Sequence, residues 1–162
     1  MGQSQLLLLV LGVVLVGLSV VLGIGLFGEK QKQALFDDMT VEANKVSGEM
    51  IAWRLKPVAF GGGSGVEYLT GLTMNALGFD ANGSGSKANN DQYWRSINKV
   101  NTKRPIVVFR PKANGDLRIQ LYMYGDAPNC FKLRRSERID GSWVVAGIPV
   151  GVNKAPDGCS TW

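Results

Sequence analysis

The sequence contains no histidine, and its two cysteines, Cys130 and Cys159, lie far apart. Without histidine the chain lacks the commonest general base and metal ligand, which excludes Ser-His-Asp and Cys-His catalytic sets. The cysteines form no Cys-x-x-Cys pair, so their spacing does not indicate a zinc site. No other group of residues forms a catalytic set with a supporting context. We therefore expect a protein that is not an enzyme and that uses no cofactor.

Charged side chains are absent from the first 28 residues, although the whole chain has a net charge of +5. Residues 6–27 form one apolar run, LLLLVLGVVLVGLSVVLGIGLF, and a run of about 20 apolar residues is long enough to span a bilayer. It is too long for the core of a cleavable signal peptide. A helix that is apolar on every side is also a poor fit to a soluble core. The run predicts a membrane-embedded segment.

Proline is absent before Pro57, and the residues that follow the apolar run are rich in helix formers. Their apolar positions recur at steps of three and four, as on one face of a helix. They are Leu35, Met39, Ala43, Val46, Met50 and Trp53. We therefore predict one continuous helix with a hydrophobic half (1–28) and an amphipathic half (29–56), which ends at Pro57. Its apolar stripe is expected to pack on the remainder of the chain.

Residues 57–162 are enough for one modest domain, the head, with a core of its own. Its clearest pattern is the strict alternation of apolar and polar residues over 117–124, which is typical of a strand. Similar runs predict three more strands at 106–110, 131–139 and 143–148. We interpret residues 91–100 as one or two helical turns. The predicted fold is α+β, with a long N-terminal helix packed on a small antiparallel sheet of four strands.

The segment from Asp80 to Asp91 reads DANGSGSKANND. It partly fits a calcium-binding loop in which Asp80, Asn82, Ser84 and Asp91 supply oxygen ligands. Lys87 and the low number of carboxylates disfavour that interpretation. The alternative is an exposed loop rich in glycine, serine and asparagine.

The cysteine pair favours one disulfide, Cys130–Cys159, in an oxidising compartment. Closing this loop would stabilise the fold by about 3–4 kcal/mol. Two buried free thiols are the alternative. The lysines that follow the apolar run predict, by the positive-inside rule, that the head lies in the cytoplasm, so the two arguments disagree about its location.

A basic cluster, Lys132, Arg134, Arg135 and Arg138, lies within the third predicted strand. Alternation places Lys132, Arg134 and Arg138 on one face of that strand. This face is either an ordinary solvated surface or a patch for attachment or subunit contact. Because no nucleic-acid recognition motif accompanies the positive charge, we expect no nucleic-acid partner.

A hydrophobic half-helix, an amphipathic continuation, a β-rich head and two cysteines near the C-terminus together resemble type IV pilins and the related pseudopilins. The resemblance implies a structural subunit of an extracellular filament at the cell surface, with the head exposed for adhesion or surface contact. It implies as partners copies of the same chain, inner-membrane lipid before assembly, a leader peptidase and an assembly ATPase. It also implies that a basic leader is removed before Met1, which would resolve the conflict over the head's location.

The resemblance directs attention to position 5, where type IV pilins typically carry a glutamate that pairs with the N-terminal amine of a neighbouring subunit. This chain has Gln5, which can form hydrogen bonds but cannot neutralise the amine. Met1 and Gln5 are thus candidate assembly residues. Gly12 and Gly17 are either ordinary glycines of a membrane helix or sites where copies of the helix approach closely. The alternative function is a single-pass, membrane-anchored extracytoplasmic binding or sensor domain.

Overall fold

A computed structural model describes residues 2–64, 69–82, 87–89, 92–98, 105–125, 127–146 and 155–159 of the chain. The first element is one long helix, α1 (Gly2–Leu55), which is uninterrupted because no proline precedes Pro57. The chain divides into two compact units, Met1–Leu35 and Phe36–Trp162. Among the described residues, the first unit consists of the N-terminal part of α1. The second unit contains the rest of α1 and the head.

The end of α1 is covered by the chain that immediately follows it. The amide of Gly63 donates a hydrogen bond to the carbonyl oxygen of Trp53 (2.9 Å), and the amide of Ser64 donates to that of Lys56 (2.9 Å). These bonds satisfy carbonyl groups that have no partner within the helix. A Cβ atom at Gly62 would lie 2.2 Å from the carbonyl oxygen of Lys56, so this close approach requires glycine.

Substitution of Gly62 by alanine is expected to destabilise the head by about 1–3 kcal/mol, the usual cost of forcing extra volume into a packed site. Gly48 provides a matched control because it is exposed on α1 and an added Cβ would meet nothing within 4 Å. Gly48→Ala should stabilise the protein by about 0.5–1 kcal/mol. Urea denaturation of the detergent-solubilised chain measures both effects. Equal stability of the two variants would contradict the close approach at Gly62.

The head is built on an antiparallel sheet whose strands pair in chain order. The strands are β1 (Ala81–Asn82), β2 (Lys87–Asn89), β3 (Tyr93–Asn98), β4 (Ile106–Pro111), β5 (Leu117–Met123), β6 (Phe131–Ile139) and β7 (Ser142–Val145). Two short 3₁₀ helices, Val58–Phe60 and Asn75–Leu77, lie between α1 and the sheet in sequence. The α+β fold with a long N-terminal helix is confirmed. The predicted number of four strands is wrong, because three further strands precede the four that correspond to β4–β7.

The core lies between the C-terminal half of α1 and one face of the sheet. The buried residues of α1 are Phe36, Met39, Ala43, Val46, Ser47, Met50 and Trp53. The central strands contribute side chains from alternate positions, namely Val107, Phe109, Leu117, Ile119, Leu121 and Met123. Leu35, which we predicted to belong to the stripe, is only half-buried. Phe36 is buried instead, and the guanidinium carbon of Arg135 lies 5.7 Å from the centre of its ring.

The predicted helical turns at residues 91–100 are wrong where the structure describes this segment, since residues 93–98 form strand β3. Side chains of β3 alternate between buried and exposed, with Tyr93, Arg95 and Ile97 buried. Trp94 is 53% exposed. The alternation of buried and exposed residues in β3 was not recognisable in the sequence, because Arg95 occupies a buried position and a charged residue is normally assigned to the solvent side.

Candidate functional site: an exposed apolar helix

The N-terminal part of α1 exposes apolar side chains around its whole circumference. Every large apolar residue from Leu6 to Phe27 is at least half exposed, from 50% at Leu11 to 73% at Phe27. Soluble monomers rarely expose apolar patches larger than a few hundred Å². Among the described residues, α1 is the one helix that is long and apolar enough to cross a membrane. We call residues 6–27 the apolar segment.

The single polar side chain within the apolar segment is already satisfied. The hydroxyl of Ser19 donates a hydrogen bond to the carbonyl oxygen of Leu15, one turn earlier, at 2.8 Å. A serine bonded in this way leaves no hydroxyl donor that needs water. The segment therefore suits surroundings that offer no hydrogen bonds, such as lipid or the side chains of other helices.

The candidate assembly glycines, Gly12 and Gly17, have no close neighbours in the described part of the chain that would explain them. A Cβ atom added at Gly12 or Gly17 would meet nothing within 4 Å, so neither glycine is required by packing in the described part of the protein. Gln5 is exposed on the first turns of α1. Met1 lies outside the described residues. Glycine costs a helix roughly 1 kcal/mol relative to alanine in water. Within the described part of a single chain, no close contact at Gly12 or Gly17 offsets this cost.

A polar cluster of Asp38, Glu42, Tyr93 and Arg95 joins α1 to strand β3, and within it Tyr93 and Arg95 are buried whereas Asp38 is exposed. A terminal nitrogen of Arg95 lies 2.5 Å from a carboxylate oxygen of Glu42, and the two side chains are 5% and 18% exposed. The Tyr93 hydroxyl donates a hydrogen bond to Asp38. Burial, followed by that bond, raises the pKa of Tyr93 well above its ordinary value. The sequence did not reveal this cluster, since its partners lie more than 50 residues apart in the chain.

A second polar contact between α1 and the sheet lies near the surface. Arg135 of β6 donates to a carboxylate oxygen of Asp37 (3.2 Å) and to the hydroxyl of Thr40 (3.3 Å). Both charged side chains are substantially exposed, and such pairs contribute about 0–1 kcal/mol. Arg135 thus faces the helix, on the opposite side of β6 from Lys132 and Arg134, as alternation predicts.

The C-terminal tail is tied to the sheet by the predicted disulfide, Cys130–Cys159, whose Cα atoms are 5.5 Å apart. Cys130 directly precedes β6 and is 2% exposed. Its carbonyl oxygen accepts a hydrogen bond from the amide of Tyr124 (2.8 Å), so the half-cystine is also held by the backbone of the neighbouring strand. The bridge fixes residues 155–159, the last described stretch, beside the sheet.

The possible calcium loop corresponds to the β1–β2 hairpin. Ser84 and Asp91 lie outside the described residues, as does the side chain of Asn82, so of the four proposed ligands only Asp80 is placed. Within the described ranges, no group of three or more acidic, cysteine or histidine side chains could hold a metal ion. Calcium binding therefore stays a prediction.

The described residues thus fall into an exposed apolar segment and a head with a helix-and-sheet core. The apolar segment was predicted completely from the sequence, whereas the polar cluster was not. No protein-family model, curated protein sequence or solved structure matches this chain.

Proposed function

We propose that this protein is a structural subunit of an extracellular filament similar to type IV pili, and that it assembles through the apolar segment. One observation carries the proposal: α1 continues without a break from a segment that is exposed and apolar on every side into the core of a folded head. A flexible linker, common between a simple anchor and its domain, is absent from the described residues 2–64.

The physical basis is the burial of the same apolar surface in two successive environments. Exposing a large apolar side chain to water costs about 1.5–3 kcal/mol, and the apolar segment contains many such side chains. Lipid covers this surface before assembly, and the apolar segments of other copies cover it in the filament. Gly12 and Gly17 lack side chains at points where a neighbouring helix would come close, which supports contact between copies.

The disulfide supports a location of the head outside the cytoplasm. Disulfides persist in oxidising compartments, and Cys130–Cys159 closes the tail of the head. In this proposal a leader peptidase processes the subunit, and an ATPase-driven machinery moves it from the membrane into the filament. The head then lies on the outside of the filament, where it is available for adhesion or surface contact.

Gln5 provides a specific test of the assembly step. We expect Gln5→Leu to reduce the amount of filament at least roughly tenfold, because leucine can form no hydrogen bond to the N-terminal amine of a neighbouring copy. Quantitative immunoblotting of fibres sheared from cells, relative to the membrane fraction, measures the effect. Gln3→Leu is the matched control, since Gln3 is an equally exposed amide in the same turn of α1.

The outcomes separate the assembly role of Gln5 from the proposed function itself. Wild-type amounts of filament from Gln5→Leu would remove the role of Gln5 and leave the filament. A wild-type protein that stays a monomer in the membrane fraction, with no fibres, would contradict the filament. That second result would favour a single-pass, membrane-anchored binding or sensor domain.

A further inference from the structure

The face of the sheet that points away from α1 carries positive charge and tryptophan together. Strand register places these residues on that face, since Trp94 lies opposite Arg110, and Arg118 is in the row that continues to β6 and β7. We define the basic-aromatic patch as Lys87, Trp94, Arg110, Lys112, Arg118 and Trp143. Among the described residues, no hydrogen bond or ion pair joins these four cations to a carboxylate. Arg95 and Arg135, which face the helix, instead form ion pairs with carboxylates of α1.

Cations lie over the tryptophan rings of the patch. The guanidinium carbons of Arg118 and Arg110 are 4.1 Å and 5.2 Å from the ring centre of Trp143. The ammonium nitrogen of Lys112 is 5.6 Å from the ring centre of Trp94. Cation–π contacts hold the charges close together without neutralising them. The patch therefore keeps its full positive charge on a fixed aromatic framework.

Arg118 is the member whose environment is least favourable without a ligand. Burial lowers the pKa of its guanidinium, and the neighbouring charges of Arg110 and Arg134 lower it further. Its Nε atom is buried and has no hydrogen-bond partner in the described part of the protein. A buried donor that lacks a partner is costly. An anion bound beside these side chains would relieve the repulsion between the three arginines.

A cleft of about 680 Å³ opens beside this cluster. Its lining includes Lys87, Trp94, Ser96, Val108 and Arg110. Trp94 is 53% exposed, which is unusual for so large an apolar side chain on a strand whose neighbours are buried. The cleft thus offers an aromatic surface next to two exposed cations.

We propose that the basic-aromatic patch binds single-stranded nucleic acid, with a base stacked on Trp94 and phosphates on Lys87, Arg110 and Arg118. Stacking on an exposed aromatic ring beside a positively charged groove is how proteins bind single strands without sequence preference. The sequence alone led us to expect no nucleic-acid partner, because the patch is assembled from five strands and the residue that follows β4, and it forms no linear motif. Charge alone would equally suit an acidic polysaccharide, but the exposed indole beside the cations favours a ligand with planar bases.

The test is fluorescence anisotropy with a labelled oligothymidylate and the full chain in non-ionic detergent micelles. We expect binding whose logarithm falls with the logarithm of salt concentration at a slope of about −2, as three phosphate contacts to a single strand predict. Trp94→Ala should weaken binding roughly ten- to a hundredfold, whereas Trp94→Phe, which keeps an aromatic face, should retain most of it. Because Trp94 is largely exposed, neither variant is expected to unfold the head, and near-ultraviolet circular dichroism verifies this.

A charge-matched pair of variants completes the design. Arg110→Gln and Lys45→Gln each remove one positive charge, but Lys45 is exposed on α1 and outside the patch. We expect only Arg110→Gln to weaken binding. Equal losses from both variants, full binding by Trp94→Ala, or displacement by an uncharged oligothymidylate analogue would overturn the proposal. Binding of heparin but not of the oligothymidylate would also overturn it and would assign the patch to acidic polysaccharides. None of these results depends on filament assembly, so the proposed function is tested separately.

Discussion

Replacement of Arg95 by methionine should destabilise the head by about 3–5 kcal/mol, although it exchanges one long side chain for another. The substitution leaves Glu42 partly buried without its positive partner, and removal of one member of a buried ion pair is strongly destabilising. Arg95 also lies 4.8 Å from the ring centre of Phe79, so its removal loosens the packing around β3. Guanidinium chloride unfolding of the detergent-solubilised chain, followed by tryptophan fluorescence, measures the free energy.

Two further variants identify the cause of that loss. The double variant Arg95→Met/Glu42→Leu removes both charges and should recover most of the stability, since an apolar pair often replaces a buried ion pair at little cost. Arg110→Met, on the neighbouring strand but exposed, should cost less than about 1 kcal/mol. A double variant as unstable as Arg95→Met alone would show that the loss does not arise from an unpaired charge at Glu42.

The second large effect concerns the apolar segment itself. Leu15→Arg places a charge near the centre of residues 6–27, where insertion into lipid costs about 2.5–3.5 kcal/mol for each subunit. The same charge would lack a partner among closely packed apolar segments, so we expect no filaments at all. The measurement is the amount of the chain in sheared fibres relative to the amount in the cell.

Leu15→Ile is the matched control because it preserves the apolar character of the same helical position, and it should assemble normally. Filaments of Leu15→Arg at wild-type abundance would show that the apolar segment is not buried in the assembled state. The hydroxyl of Ser19 bonds to the Leu15 backbone carbonyl, which both variants retain. A difference between them therefore reports on side-chain polarity and not on helix structure.

The elements that were predictable from the sequence have a long, regular pattern of apolar residues and bury one face. Strand β5 alternates over its whole length, from Leu117 to Met123, and the structure buries the apolar positions as expected. The apolar segment and the helix that continues from it were equally visible. The cysteine pair was predictable because two cysteines allow only one pairing, which an oxidising compartment favours.

The missed elements are those that depend on distant partners or are too short to show a period. Strands β1 and β2 have two and three residues. In β3 the alternation is carried by Arg95, whose burial is tolerated only because Glu42, 53 residues earlier, faces it. The basic-aromatic patch was invisible for the same reason, since antiparallel register brings Trp94 and Arg110 side by side. Its residues are close in three dimensions but far apart in the sequence, so no short stretch of the sequence reveals the patch.

In the proposed filament, the apolar segment leaves lipid to join copies of itself. The most direct measurement is mass spectrometry, with and without reduction, of fibres that are sheared from producing cells and identified by negative-stain microscopy. We expect fibres composed mainly of this chain, with the Cys130–Cys159 bridge intact. Fibres that lack the chain, together with a membrane fraction that holds all of it as monomer, would contradict the account.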